Sequence, residues 1–142
     1  MPSRPGCRRH PDVSSFWALV VYLSNQPLHP PCVITIDSKT CGPPLSRLSE
    51  GSVLVVWSED AFPGWTFKWA RGTALRVGGH RAKLRLTRSA CGVGADVMLD
   101  VVVDRPDAPD NWFEFRACIT RPGIATRERQ IRTLLRTVHF GR

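Results

Sequence analysis

The sequence has few lysines and no long hydrophobic run. Only Lys39, Lys68 and Lys83 are lysine, so 17 of the 20 basic residues are arginine, and the net charge is +8. The longest apolar stretch, residues 16–23, is far shorter than the roughly 20 residues that a membrane-spanning helix needs. With 42% hydrophobic and 23% charged residues, the composition is that of a globular chain and excludes a wholly disordered one. A length of 142 residues indicates one domain, which we place at 13–142 after a basic, flexible arm at 1–12.

The common catalytic motifs are also absent. There is no G-x-S-x-G, no P-loop, no G-x-G-x-x-G and no H-E-x-x-H, and the four histidines share no spacing typical of a catalytic pair. Pro106-Asp107 followed by Glu114 and Arg116 is similar in outline to the layout of metal-dependent nucleases. Arginine does not lose its proton and so does not act as the base there. The sequence therefore favours a non-catalytic protein without a cofactor, with a metal-dependent nuclease as the weaker alternative.

The five cysteines form no C-x-x-C pair. Their odd number and irregular spacing are typical of free buried thiols in a reducing compartment, and we expect the protein to be intracellular, in the cytoplasm or nucleus. Arg4, Arg8 and Arg9 before an apolar run imitate a secretory signal, but no A-x-A-like cleavage site follows. A zinc site is the alternative use of the thiols, because two-residue gaps separate the donors in each half of the set Cys7, His10, His29 and Cys32.

Charge is distributed in blocks along the chain. Residues 61–95 contain seven basic residues and no acidic one, residues 96–114 contain six acidic residues against Arg105, and residues 115–142 contain seven arginines against Glu128. If the arginines resulted only from a GC-rich coding sequence, they would be distributed evenly along the chain. The blocks therefore carry information about the surface.

Period-two alternation predicts most of the fold. It places Arg81, Lys83 and Arg85 on one side of a strand after the turn Gly78-Gly79. It alternates apolar and acidic residues over 96–104, interrupted only by Met98 and Val102, and apolar and polar residues over 113–119. The aromatic residues of 65–69 also alternate and predict a strand, whereas residues 16–23 fit a helix and a strand equally. A helix over 126–140 follows, capped by Thr126 and ended by Gly141. We predict a mainly β fold: a compact antiparallel barrel or sandwich of about seven short strands with one C-terminal amphipathic helix.

Cations beside aromatic rings are the means by which small β domains bind single-stranded nucleic acid. The sequence therefore predicts RNA or single-stranded DNA as the partner, bound by the following residues: Trp65, Lys68, Trp69, Arg71, Arg76, Arg81, Lys83, Arg85, Arg129, Arg132 and Arg136. The alternative is a protein-interaction module that binds an acidic protein surface through its segregated charges. Strand order separates the two, because an acidic strand directly beside the basic hairpin would neutralise the main surface for nucleic acid.

Overall fold

The computed structural model describes residues 8–10, 20–88 and 91–141, and for 8–10 the backbone alone. The described residues form nine strands, one short 3-10 helix (Phe67–Trp69) and one α-helix, α1 (Ile124–Arg136). The strands are β1 (Arg8–His10), β2 (Val20–Ser24), β3 (Cys32–Ile34), β4 (Lys39–Cys41), β5 (Val53–Ala61), β6 (Thr73–Val77), β7 (His80–Thr87), β8 (Val97–Asp104) and β9 (Asn111–Ile119).

Seven of these strands form one antiparallel sheet, and β3 and β4 form a separate two-stranded sheet. The order in the large sheet is β1-β2-β5-β9-β8-β7-β6, so β1 and β6 are its edges. The prediction of a mainly β fold with one C-terminal helix is confirmed, although the sheet is open and does not close into a barrel. Of the segment predicted as a flexible arm, only 8–10 is described, as β1, and the rest lies outside the described residues.

The alternation of side chains gives the sheet two different faces, as the sequence predicted. Inward residues such as Leu99, Val101 and Ala117 are fully buried and pack with Ile131 and Leu135 of α1. We call this side the helix face. Their neighbours along each strand are mainly polar and lie on the opposite side, which we call the charged face.

A second, smaller core lies at one end of the charged face. Leu45, Leu48 and Val93 come from the loops before β5 and β8 and pack on Leu54 and Cys118. Burial of these aliphatic side chains holds the two loops against the sheet. The remaining part of the charged face keeps its polar residues.

Two glycine turns set the geometry of the β6–β7 hairpin. Gly78 and Gly79 have φ values of 56° and 82°, which suit the two-residue turn that the sequence predicted. Gly72 precedes β6 with a φ of 125°, and a Cβ there would lie 2.3 Å from the carbonyl oxygen of Leu84. Position 72 therefore requires glycine.

Several local predictions need correction. Residues 65–69 do not form a strand, because the N–H groups of Trp69 and Ala70 donate to the carbonyls three residues earlier, in the 3-10 helix. Helix α1 begins earlier than predicted, after Gly123 in the left-handed conformation that its φ of 90° shows, and ends at Arg136. The ambiguous segment is a strand where it is described, at 20–23.

The expectation of free thiols is wrong for four cysteines. Cys32 is bonded to Cys41, and Cys91 is bonded to Cys118. Such bonds are rare in reducing compartments, so they count against the predicted location. No helix in the described part of the chain has the length and apolar character that crossing a membrane requires.

Candidate binding face of the sheet

The charged face carries residues from five neighbouring strands. Cross-strand registers place Ser58 opposite Glu114, Arg116 opposite Asp100, and Asp100 opposite Arg85. These side chains therefore lie side by side on one surface. Its charged members are Asp60 on β5, Glu114 and Arg116 on β9, Asp100 and Asp104 on β8, Arg81, Lys83 and Arg85 on β7, and Arg76 on β6.

The charges on this face are sorted by strand. Arginine and lysine occupy β6 and β7 at the edge of the sheet, whereas the carboxyl groups occupy β5, β8 and β9 in its interior. In the described parts of β5, β8 and β9, Arg116 is the one cation on the charged face, and it contacts Glu114. The face therefore has a cationic rim beside an acidic centre.

The acidic strand β8 lies directly beside the basic strand β7. Nη2 of Arg81 is 2.7 Å from Oδ2 of Asp104, and Arg85 is opposite Asp100 in the register. Asp104 is buried at 8% exposure, while the Arg81 side chain is 64% exposed, so the carboxylate depends on this partner more than the guanidinium does. The acidic strand thus neutralises part of the basic hairpin, which is the arrangement that weighs against nucleic acid.

Three carboxyl groups meet at the acidic centre. Glu114 is hydrogen bonded to both Asp60 and Asp100, and Ser58 Oγ donates to Oδ2 of Asp60 over 3.1 Å. Burial, followed by the hydrogen bond and charge of Glu114, raises the pKa of Asp100 to about 7 and that of Asp60 to about 6. Burial acts to raise the pKa of Glu114 as well, but the hydrogen bond from Asp100 and the charge of Arg116 lower it overall. The centre therefore shares protons near neutral pH, with the negative charge held on Glu114.

Aromatic residues enclose the other end of the charged face. The rings of Trp65 and Trp112 stack with centroids 4.5 Å apart, and the guanidinium of Arg81 lies 5.0 Å from the centre of the Phe67 ring. Trp69 is 59% exposed and belongs to the 3-10 helix. Trp65 and Trp69 therefore do not form the aromatic strand that the sequence predicted beside the cations.

The arginine row of α1 lies on the other side of the sheet. Helix α1 packs through Ile131 and Leu135 on the helix face, from which the cations of β7 point away. Within the helix, Arg132 contacts Glu128 at 3.0 Å and Arg129 donates to Thr126 Oγ1 at 3.2 Å. Arg129, Arg132 and Arg136 are thus not brought together with Arg81, Lys83 and Arg85. Lys68 and Arg71 are exposed on the segment that leads into β6.

The residues of the predicted zinc and nuclease sites have other partners. Sγ of Cys32 is used in a disulfide bond, and Nδ1 of His29 is 3.0 Å from the carbonyl oxygen of Pro30. Cys7 and the side chain of His10 lie outside the described residues. Asp107 is held by Arg105 at 2.7 Å. Among the described residues no group of three His, Cys, Asp or Glu side chains could hold a metal ion.

Sequence reasoning did not find the carboxyl cluster. Asp60, Asp100 and Glu114 are far apart in the chain, and only the order of the strands brings them together. Period-two alternation could have placed each of the three residues on the outward face of its strand, but it does not tell which strands are neighbours.

The models of known protein families, the curated proteins and the solved structures contain no match to this chain.

Proposed function

We propose that this domain is a protein-interaction module that binds an extended, acidic segment of a partner protein along the edge strand β6. The observation that carries the proposal is the position of the cationic rim at an open edge of the sheet. Edge strands offer unpaired backbone groups, and extended segments of other proteins use them by adding one more strand.

The register identifies the backbone groups that are open on β6. Val77 and His80 flank the two-residue turn, and residues in that position exchange both of their backbone hydrogen bonds. Since bonded and non-bonded pairs alternate in antiparallel strands, Leu75 and Thr73 also bond to β7. The N–H and C=O groups of Ala74 and Arg76 therefore point away from the sheet, toward an added strand.

The charges next to this edge favour an acidic segment. A strand added to β6 would have its side chains beside Arg76, with Arg81 and Lys83 one strand further in. Lys68 and Arg71 lie on the segment that precedes β6 and extend the positive surface. Acidic side chains on the partner would meet these cations before reaching the carboxyl groups of β8 and β9.

Nucleic acid fits this surface less well than an acidic peptide does. A polyanion needs a continuous track of cations, and its affinity depends on phosphate contacts along that track. Here Arg81 is paired with Asp104, Arg85 faces Asp100, and the arginine row of α1 lies behind the sheet. An acidic strand needs only the rim and the backbone of β6.

The test is fluorescence anisotropy with three labelled probes. The first is a short peptide that alternates Glu with Val and Thr, the second has the same composition with prolines inserted to prevent strand formation, and the third is a single-stranded oligo-dT. We expect the first peptide to bind with a Kd on the order of micromolar, and the other two to bind at least about tenfold more weakly. Tighter binding of the oligonucleotide would replace the proposal with nucleic-acid binding.

Two variants at one position test the edge itself. Ala74→Pro removes an outward N–H group at a position where edge strands tolerate proline, and Ala74→Thr retains it. We expect Ala74→Pro to weaken the acidic peptide by about tenfold or more and Ala74→Thr to leave its affinity unchanged. Equal affinities for the two variants would exclude strand addition at β6.

A further inference from the structure

A disulfide-closed hairpin stands apart from the main sheet. Strands β3 and β4 pair only with each other among the described strands, and Cys32 and Cys41 are directly opposite and bonded. Thr35 N donates to the carbonyl oxygen of Ser38 over 2.8 Å and closes the tip, where Ile36 and Asp37 form the turn. We call residues 31–42 the stapled hairpin.

The stapled hairpin exposes aliphatic side chains that a small domain normally buries. Val33 is 66% exposed, Ile34 70% and Ile36 99%. Two-stranded hairpins are marginally stable in water, and the disulfide holds this one in shape without a core of its own. A rigid element that carries exposed apolar residues is typical of an interaction site.

The same chain has an apolar groove between α1 and strands β2 and β5. Leu23, Val53, Val55, Ile131 and Leu134 line it, and its volume is about 270 Å³. This is below the range of about 300–1,000 Å³ that is usual for small-molecule pockets, and it suits one or two aliphatic side chains.

The polar residues that line the groove already have partners. Ser24 Oγ donates to the carbonyl oxygen of Val53 over 2.6 Å, and Arg127 donates to that of Gly51 over 3.0 Å. Leu134 is 39% exposed although it lies on the apolar side of α1. The groove therefore offers an occupant aliphatic contacts and few free polar groups.

We propose that the stapled hairpin of one copy of this chain inserts Ile36 into the groove of a second copy. The protruding residue and the groove match in size and in apolar character. The disulfide lowers the entropy that the hairpin loses when it docks. This self-association is independent of the edge strand β6, so either proposal stands if the other fails.

Sedimentation equilibrium over a range of protein concentrations tests the association. The native chain should associate, and Ile36→Asp and Leu134→Glu should each weaken association by on the order of 10- to 100-fold, the loss expected for one buried isoleucine or leucine. Thr40→Asp and Thr133→Glu add the same charge at neighbouring exposed positions and should associate as the native chain does. A native chain that stays monomeric at every concentration would overturn the proposal.

Mixing the two single variants gives the sharper result. Ile36→Asp chains keep an intact groove and Leu134→Glu chains keep an intact hairpin. At a concentration where each variant alone is monomeric, a mixture of the two should therefore form heterodimers. If the hairpins contacted each other, or the grooves did, the mixture would remain monomeric and the assignment of hairpin to groove would be refuted. Association that survives Leu134→Glu but not Ile36→Asp would refute it as well.

Discussion

Replacing Asp100 by asparagine is expected to make the protein more stable at alkaline pH. The folded state holds a proton on Asp100 up to about pH 7, whereas the unfolded chain releases it near the ordinary value of 3.8. Because the folded state binds more protons across this window, the free energy of unfolding falls as pH rises from about 4 to about 7. Asparagine has no proton to lose, and its amide donates to Glu114 as the protonated carboxyl group does.

The size of the effect follows from the position of the side chain. For a fully buried carboxyl group, a difference of this size between the folded and unfolded pKa values would correspond to about 4 kcal/mol. Asp100 is partly open to solvent, which screens its interactions and reduces the expected gain to about 1–2 kcal/mol. One Oδ of Asp100 is buried without a hydrogen-bond partner in the described structure, so the substitution breaks no contact of that atom.

Urea denaturation followed by tryptophan fluorescence measures this gain. The quantity to compare is the difference in unfolding free energy between Asp100→Asn and the native chain, taken at about pH 4 and at about pH 8. We expect the difference to increase in favour of the variant by about 1–2 kcal/mol. Asp110→Asn, at an exposed carboxylate outside the cluster, is the control and should show no such increase. A difference that is the same at both pH values would refute the proton-sharing cluster.

Three further outcomes are expected. Because Cys32–Cys41 and Cys91–Cys118 are bonded, thiol titration of the denatured, unreduced chain should detect one thiol, that of Cys7, and titration after reduction should detect five. Detection of five thiols before reduction would contradict both bonds. A point substitution usually lowers the free energy of unfolding by about 1 kcal/mol, and Gly72→Ala should lower it several times more, because the alanine Cβ would overlap the carbonyl of Leu84. Chemical denaturation measures this loss. Leu135→Ala should cost about 2–5 kcal/mol by the same measurement, because Leu135 is 1% exposed in the core, whereas Arg136→Ala on the helix surface should cost less than about 0.5 kcal/mol.

The sequence was sufficient to predict the faces of the long strands. Val97, Leu99, Val101 and Val103 recur at every second position because one face of an antiparallel sheet is buried, and all four are buried in the structure. Asp100 and Asp104 lie between and after them on the other face, together with Met98 and Val102. The same alternation in Trp65, Phe67 and Trp69 gave a wrong prediction. There the segment follows the turn at Gly64, and hydrogen bonds between near neighbours together with stacking of Trp65 on Trp112 replace strand pairing.

The sequence alone could not predict which distant cysteines and strands pair with one another in the fold. The spacing of the cysteines contains no information on which two meet, because connectivity depends on the fold. Likewise, the charge blocks indicated that a basic and an acidic segment were present, but their effect depended on β7 and β8 being neighbours. Exposure of Ile36 was also unpredictable, since an aliphatic residue in a short strand pattern is normally buried.

The position of β9 in the sheet has a consequence for folding during synthesis. This strand is the last of the described strands in sequence order, yet it lies between β5 and β8 and links β1, β2 and β5 to the β6–β8 meander. Until residues 111–119 leave the ribosome, β5 and β8 each have an unpaired side, and the two groups of strands have no ladder in common. The large sheet therefore assembles only after residues 111–119 have been synthesised. Contacts between residues far apart in the sequence make folding slow, and the unpaired edges of β5 and β8 in the incompletely synthesised chain make it prone to aggregate.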